Sequence, residues 1–373
     1  MKLRSAGDSA QGLRGLRRRE GLAAPESAAA GLQHAWLTRG PLAVALLPLA
    51  LTFGVAAALR RVAYRLGWAR TTRLARPVIV VGNLVAGGAG KTPTVIALVD
   101  LLRRHGYTPG IVSRGYGRPG SALVDVTADT PASDSGDEPA LLHRRTGAPL
   151  VVGRDRAAAG RALLEAHPAV DVIVSDDGLQ HLALERDVQV LVFDERGAGN
   201  GWLLPAGPLR EALPPHVPAK SLVLYNAARP STPLPGHVAR RGLAGIALLG
   251  EWHAGASPSM AALHALRGCP VRAVAGIARP DRFFASLRAE GLSIDAVALP
   301  DHDPLRPPLP WPADGTDVIV TEKDAVKLVD PPAGTTRVWV APLDFALEPA
   351  FEQALLALLH DAAPGIRDGS PPA

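Results

Sequence analysis

Cysteine is almost missing from this chain, with Cys269 alone among 373 residues. One thiol excludes a disulfide framework and any cysteine-based zinc cluster, and it suits a reducing, cytoplasmic setting. Cys269 itself reads as a small buried residue. Lysine is nearly as scarce. Of 40 basic residues only Lys2, Lys91, Lys220, Lys323 and Lys327 are lysines, leaving 35 arginines against 35 acidic residues. Arginine and alanine richness indicates a biased genome that writes generic basicity as Arg, so a lysine kept in a glycine-rich loop stands out. Also missing are internal repeats and any dense basic tract interleaved with aromatics, so nucleic acid is not an expected partner. The length allows two ordinary domains, and the 47% hydrophobic content is ample for buried cores.

Residues 1–33 are rich in Arg, Ala and Gly without periodicity and read as a basic, disordered arm. Residues 34–75 read as a membrane-associated helical segment. Between Arg39 and Arg60 lie 20 residues without a charge, long enough to cross a bilayer as one helix. Pro48 near the middle, many alanines, and arginines at both ends leave spanning and one-leaflet embedding both open. Arg60, Arg61, Arg65, Arg70, Arg73 and Arg76, mixed with Tyr64 and Trp68, suit the headgroup layer of an anionic membrane.

From residue 76 short apolar strands alternate with helices, which argues for α/β architecture with a parallel sheet. The expected first domain, 76–228, carries strands in PVIVV, GIVSRG, VDVIVSDD, VQVLVFD and SLVLYN. A Pro- and Gly-rich linker at 227–242 leads to a second, smaller α/β domain at 242–362 with strands in VRAVAGI, SIDAVALPDH, TDVIVTEKD and TRVWVAP. The tail beyond 362 reads as loop.

The chemistry starts in VVGNLVAGGAGKTP. A strand runs into a glycine-rich turn, and Lys91 and Thr92 open a helix, as in a phosphate-binding loop. The usual pattern needs Gly at position 85, where this chain has Val85. Val85, Ala86, Gly87, Gly88, Ala89, Gly90, Lys91 and Thr92 are the expected nucleotide cradle. Backbone N–H groups and the helix N-terminus would hold phosphate, Lys91 would reach the β- and γ-phosphates, and Thr92 would ligate Mg²⁺. A carboxylate at a neighbouring strand end completes such a metal site, and Asp176 and Asp177 in VSDDG supply it. Transfer to an alcohol further requires a base. Asp137 and Glu138 stand before a predicted helix, where capping is the plain alternative. His302, between Asp301 and Asp303 after a second-domain strand, offers an Asp–His pair or an ordinary surface histidine.

Taken together these motifs resemble the tetraacyldisaccharide 4'-kinases of lipid A biosynthesis. VVGNLVAGGAGKTP resembles that family's loop, in which the first glycine is likewise absent. VSRGYGR (112–118), SGDEP (135–139), SDDGLQH (175–181), LPAGPLRE (204–211), AGIARPDRFF (275–284), LPDHDPL (299–305) and VTEKDAVKL (320–328) follow in the family's order, and LLPLALTF resembles its membrane segment. The likeness covers about residues 34 to 360, and the arm before it departs from the family's short N-terminus. It implies an ATP- and Mg²⁺-dependent enzyme on the cytoplasmic face of a Gram-negative inner membrane. The acceptor would be an acylated glucosamine disaccharide 1-phosphate, phosphorylated at its 4'-hydroxyl to lipid IVA. Asp137 would be the base, supported by His302. Asp177 with Asp176 would complete the metal site, and Arg114, Arg210 and Glu211 would contact acceptor or phosphate. Glu322, Lys323 and Asp324 would line the cleft between domains, where structural roles stay equally open.

Two other classes share parts of this pattern. A membrane-bound P-loop nucleotide switch needs the loop and the Asp pair but no base for a sugar hydroxyl. A P-loop kinase of soluble metabolites needs no residues 1–75.

Overall fold

The computed structural model describes residues 31, 32, 35–118, 120–328 and 336–362. The expected basic arm, apart from residues 31 and 32, and the tail beyond 362 lie outside the described residues.

Helices α1 (Pro41–Ala45) and α2 (Leu47–Arg65) precede an eight-stranded sheet. Its strands are β1 (Val78–Gly82), β2 (Pro109–Ser113), β3 (Val124–Asp125), β4 (Leu150–Val152), β5 (Val172–Ser175), β6 (Val188–Asp194), β7 (Ser221–Asn226) and β8 (His237–Val238). They lie in the order β3-β4-β2-β5-β1-β6-β7-β8, all parallel except the β3–β4 pair. Helices α3 (Lys91–Arg104), α4 (Ala132–Ser135), α5 (Asp137–Thr146) and α6 (Arg156–Ala166) connect them. Parallel strands are covered on both faces, so β1 is buried from Val78 to Gly82. Ile79 and Val81 enter one core with Val95, Leu98 and Leu102 of α3. Val78 and Val80 enter the opposite core with Ala159 and Leu163 of α6. Loops leaving β1 and β5 share the carboxyl edge of this sheet, where open α/β folds bind ligands.

A short two-stranded sheet joins β9 (Arg240–Leu243) to β15 (Leu343–Ala346). Between them lies a five-stranded sheet of β10 (Ala247–Leu248), β11 (Val271–Ala275), β12 (Ile294–Ala298), β13 (Asp317–Thr321) and β14 (Val338–Ala341). Its order is β10-β14-β13-β11-β12, with only β10 antiparallel to its neighbour. Helices α7 (Leu249–His253), α8 (Met260–Ala265), α9 (Pro280–Ala289) and the short α10 (Glu322–Ala325) belong to this unit, and α11 (Pro349–Ala362) ends the described chain.

Three expectations need correction. Helix α11 does not stay with the second domain, because Phe351, Leu355 and Leu359 fill the first sheet's core beside Val190 and Leu224. The first domain is thus discontinuous in sequence, and β9 and β15 form a double crossing between units. The 227–242 linker is partly strand, since β8 extends the first sheet. Cys269 is exposed, in the turn that precedes β11.

The uncharged N-terminal run is not one helix either. It breaks at Leu46, and Pro48 falls in the first turn of α2, where its missing N–H leaves no bond unmade. Helix α2 then continues through Arg60, Arg61 and Arg65. Leu47 to Leu59 is therefore the uncharged helical length, about 20 Å at 1.5 Å per residue. One side of α2 docks on the 202–211 loop: a Cβ on Gly54 would come 2.8 Å from Leu203, and Arg61 pairs with Glu211 at 3.0 Å. Nearby, Trp36 donates to the Pro205 carbonyl at 2.9 Å. Leu49, Leu51, Val55, Leu59 and Leu66 point outward and Trp68 is 79% exposed.

If α11 is part of the first core, Leu355→Ala removes a fully buried side chain from it. Chemical denaturation followed by a probe on the first sheet should show a loss of about 2–5 kcal/mol. A change well below 1 kcal/mol would mean the helix is peripheral.

Candidate active site

Strand β1 ends at Gly82, and buried Asn83 organises the loop that follows. Its carboxamide donates to the carbonyls of Val85 (2.6 Å) and Gly87 (3.1 Å), and its Oδ1 accepts from Lys91 Nζ at 3.4 Å. Val85 is buried and forms an antiparallel bridge with Leu209. That is an extended role a β-branched residue fills well, whereas a glycine there would gain nothing. The Ala86 N–H donates to the Pro208 carbonyl at 2.8 Å. Val85 and Ala86 are therefore engaged by the neighbouring segment, and of the eight residues expected to form the cradle Gly87–Thr92 make up its open part.

Within it Gly87 and Gly90 take positive φ, and α3 starts at Lys91, so the helix N-terminus faces the loop's interior. Arg196 clamps the outer side by donating to the carbonyls of Ala86 and Gly88, at 3.5 and 3.1 Å. The Asn226 amide caps the Ala89 carbonyl at 3.2 Å. Such a loop presents N–H groups inward with its carbonyls tied outward, which is what an anion requires.

Asp176 and Asp177 follow β5 directly. Asp176 is buried, and its Oδ2 accepts from Ser113 at 3.0 Å while its Oδ1 has no protein partner. Burial, reinforced by the negative charges of Glu138 and Asp177, pushes its carboxyl up to about 7. Asp177 sits at φ 47, with Oδ1 3.6 Å from Lys91 Nζ and 3.5 Å from Arg210 Nη1. A buried carboxylate with an orphaned oxygen beside a phosphate cradle fits a divalent cation. Among the described residues no group of three or more His, Cys, Asp or Glu could hold a metal alone. Two carboxylates with phosphate oxygens and water is, however, the common Mg²⁺ arrangement.

Asp137 and Glu138 are the first two residues of α5, inside the helix rather than before it. His302, in the turn after β12 at φ 63, reaches across from the second unit, and its Nδ1 lies 3.1 Å from Asp137 Oδ2. Lys327 Nζ is 3.4 Å from the same oxygen. Burial favours the neutral acid, but the His302 hydrogen bond and the charges of Lys327 and Lys323 outweigh it, so Asp137 titrates below the usual carboxylate range. The Tyr116 ring stands 5.4 Å from the imidazole. The cleft beside this pair is a cavity of about 1650 Å³. Glu322 bonds Arg145 of α5 at 2.6 Å, and Asp324 is buried against the Gly276 N–H. The Glu322 contact thus pins the two units together, while the Asp324 contact lies within the second unit.

Arg114, Arg210 and Glu211 line a separate cavity of about 600 Å³ with Arg60, Arg61, Arg154 and Arg156. Phe53, Ala56 and Ala57 of α2 form one wall and Asp177 belongs to another.

The family model described as tetraacyldisaccharide-1-P 4'-kinase (LpxK) matches residues 42–360. The chain belongs to this family. Two similar relatives are the tetraacyldisaccharide 4'-kinases of Methylibium petroleiphilum and Leptothrix cholodnii. The first is 59% identical over 338 residues, covering 89% of this chain and 94% of that protein. The second is 56% identical over 342 residues, with 90% and 97% covered. Among solved structures, LpxK from Aquifex aeolicus in complex with ATP superposes with a TM-score of 0.70 at 26% identity, covering 85% of this chain and 99% of that one. Membership makes the chain a kinase. Asn83, Ser113, Arg196, Asn226 and Lys327 also reach the site, and sequence alone assigns none of them a role. The polar residue directly after an apolar strand was the available signal for Asn83. Ser113 and Lys327 lie inside motifs without a role of their own there, and Arg196 and Asn226 reach the loop from distant segments.

Gly90 tests the cradle. It sits at φ 93, and a Cβ there would lie 2.1 Å from Asn226 Nδ2. Gly90→Ala should weaken nucleotide binding, read by fluorescent-nucleotide titration, by about 10-fold or more, equivalent to ~1.4 kcal/mol, in a folded protein. Unchanged affinity would remove this loop from the nucleotide site.

Proposed function

We propose that this chain transfers the γ-phosphate of ATP to the 4'-hydroxyl of a tetraacylated glucosamine disaccharide 1-phosphate, at the cytoplasmic face of an inner membrane. The observation that carries the residue assignment is the Asp137–His302 contact, a base pair that a nucleotide switch has no use for. Gly87–Thr92 would cradle the phosphates, with Lys91 on the β- and γ-oxygens. Thr92, Asp176 and Asp177 would hold Mg²⁺, which when bound neutralises charge on the transferring group. The hydroxyl oxygen forms its bond to the γ-phosphorus as the bond to the β–γ bridging oxygen breaks, and ADP leaves with that electron pair. The hydroxyl proton passes to Asp137. A carboxylate held ionised orients the hydroxyl and takes its proton late, and that suffices when the transition state is loose.

The arginine-lined cavity between α2 and Asp177 suits an anionic sugar, with Arg114 in its lining, Arg210 3.5 Å from Asp177 and Glu211 tied to Arg61. Acyl chains would leave this cavity along α2. Helix α2 is, by length and composition alone, long and apolar enough to cross a membrane. Its uncharged part of about 20 Å nevertheless falls short of a hydrocarbon core of about 30 Å. With one side docked on the protein, α2 fits a helix lying in one leaflet, its arginines among the headgroups. Membrane lipids are then a second partner alongside the substrate.

The test is transfer of labelled phosphate from ATP to tetraacyldisaccharide 1-phosphate in detergent micelles. The native chain should make lipid product. Asp137→Ala should lose about 10²-fold or more of the rate while still binding ATP. Equal rates would remove Asp137 as base, and a native chain that binds ATP without making lipid product would favour the nucleotide switch.

A further inference from the structure

Three of the five lysines in this arginine-rich chain meet at the site. Lys91 belongs to the phosphate loop, but Lys323 and Lys327 lie on and just beyond α10, facing the first turn of α5. The Lys327 side chain is 5% exposed. Its Nζ meets three acceptors: the Asp303 carbonyl at 2.9 Å, Asp324 Oδ1 at 3.1 Å and Asp137 Oδ2 at 3.4 Å. Lys323 Nζ likewise meets Asp301 Oδ1 at 3.1 Å, His302 Nε2 at 3.2 Å and Glu138 Oε1 at 3.5 Å. Three acceptors around one nitrogen match an ammonium group, while a planar guanidinium spreads its donors over a fork.

These contacts fix the histidine. Asp137 is ionised and only accepts, so His302 Nδ1 carries the proton. An ammonium only donates, so His302 Nε2 is the acceptor toward Lys323. The imidazole then has no lone pair left for a substrate. Asp137 Oδ2 is held by both His302 and Lys327, which leaves Oδ1.

We propose that Lys323 and Lys327 are positioning residues that orient the Asp137–His302 pair, so that Asp137 Oδ1 alone receives the acceptor's proton. The proposal rests on the kinase reading above and adds that the second domain completes the base. The charged groups around Asp137 are His302, Lys323 and Lys327, with Glu138, Asp301 and Asp324 balancing the lysines. Burial works against the Lys323 ammonium, but Glu138 and Asp301 outweigh it and the proton is held more firmly than usual.

The experiment uses the full chain in micelles, with Lys327→Met and Lys323→Met. Lys327→Met should lower kcat by about 10-fold or more, with KM for ATP and lipid nearly unchanged. Removing that cation raises the Asp137 pKa, so the acid limb of kcat should move to higher pH by about one unit. Nitrogen-15 NMR of the His302 ring supplies a readout independent of turnover. The native chain should show the Nδ1–H tautomer, and Lys323→Met should release Nε2 and mix the tautomers. An unmoved acid limb in Lys327→Met, or a native imidazole protonated at Nε2, would overturn the proposal. A native chain inactive on the lipid would instead defeat the kinase reading, and the histidine spectrum would still decide what the lysines do.

Discussion

One carboxylate oxygen, Asp137 Oδ2, is the point through which the two sheets are coupled at the site. It accepts from His302 Nδ1 and lies within ion-pair distance of Lys327, and both of these belong to the second unit. The surrounding contacts run the same way along α5. Glu138 faces Lys323, Arg145 bonds Glu322, and Leu141 packs into the second unit's core with Ala325 and Leu328. An ionised carboxylate taken out of water needs such partners, because unpaired it would revert to the neutral acid. The Asp137 carboxylate is therefore kept ionised at the buried contact by groups of the second unit, while the glycine-rich loop and the Asp pair stand on the first unit alone. On the proposed reading, nucleotide would bind on the first unit, and hydroxyl activation would draw on residues of both.

The proposed membrane end is built on the same first unit. The loop at 202–211 holds α2 through Leu203 and Glu211, bridges Val85 through Leu209 and carries Arg210 to Asp177. One segment thus links the outward-facing apolar helix α2, the phosphate loop and the proposed metal site. An acceptor whose acyl chains stay in the bilayer would meet its arginines before its hydroxyl reaches the nucleotide.

What the sequence made legible was mostly local. The strand–glycine–Lys91–Thr92 order carried the phosphate loop, and the run of parallel apolar strands carried the fold class. The resemblance made Val85 a family trait, and its bridge to Leu209, more than a hundred residues away, shows why an extended residue belongs there. Long-range packing hid the rest. Helix α11 shows an ordinary apolar face, and nothing in that pattern says which of two sheets it covers. Pro48 was visible, but whether it would bend one helix or start another depends on the docking of α2. Cys269 misled because its turn, not its residue type, sets its exposure. His302 looked like a surface-loop histidine from local spacing, and its partner came from another domain.

The most direct test of the central claim is a double-mutant cycle on kcat with Asp137→Asn and His302→Gln, assayed on the lipid acceptor at saturating ATP. If the two residues form one unit across the domain contact, each single change should slow turnover and the double variant should be no worse than the slower single. Losses that multiply would mean that Asp137 and His302 act separately, and the composite base would have to be abandoned.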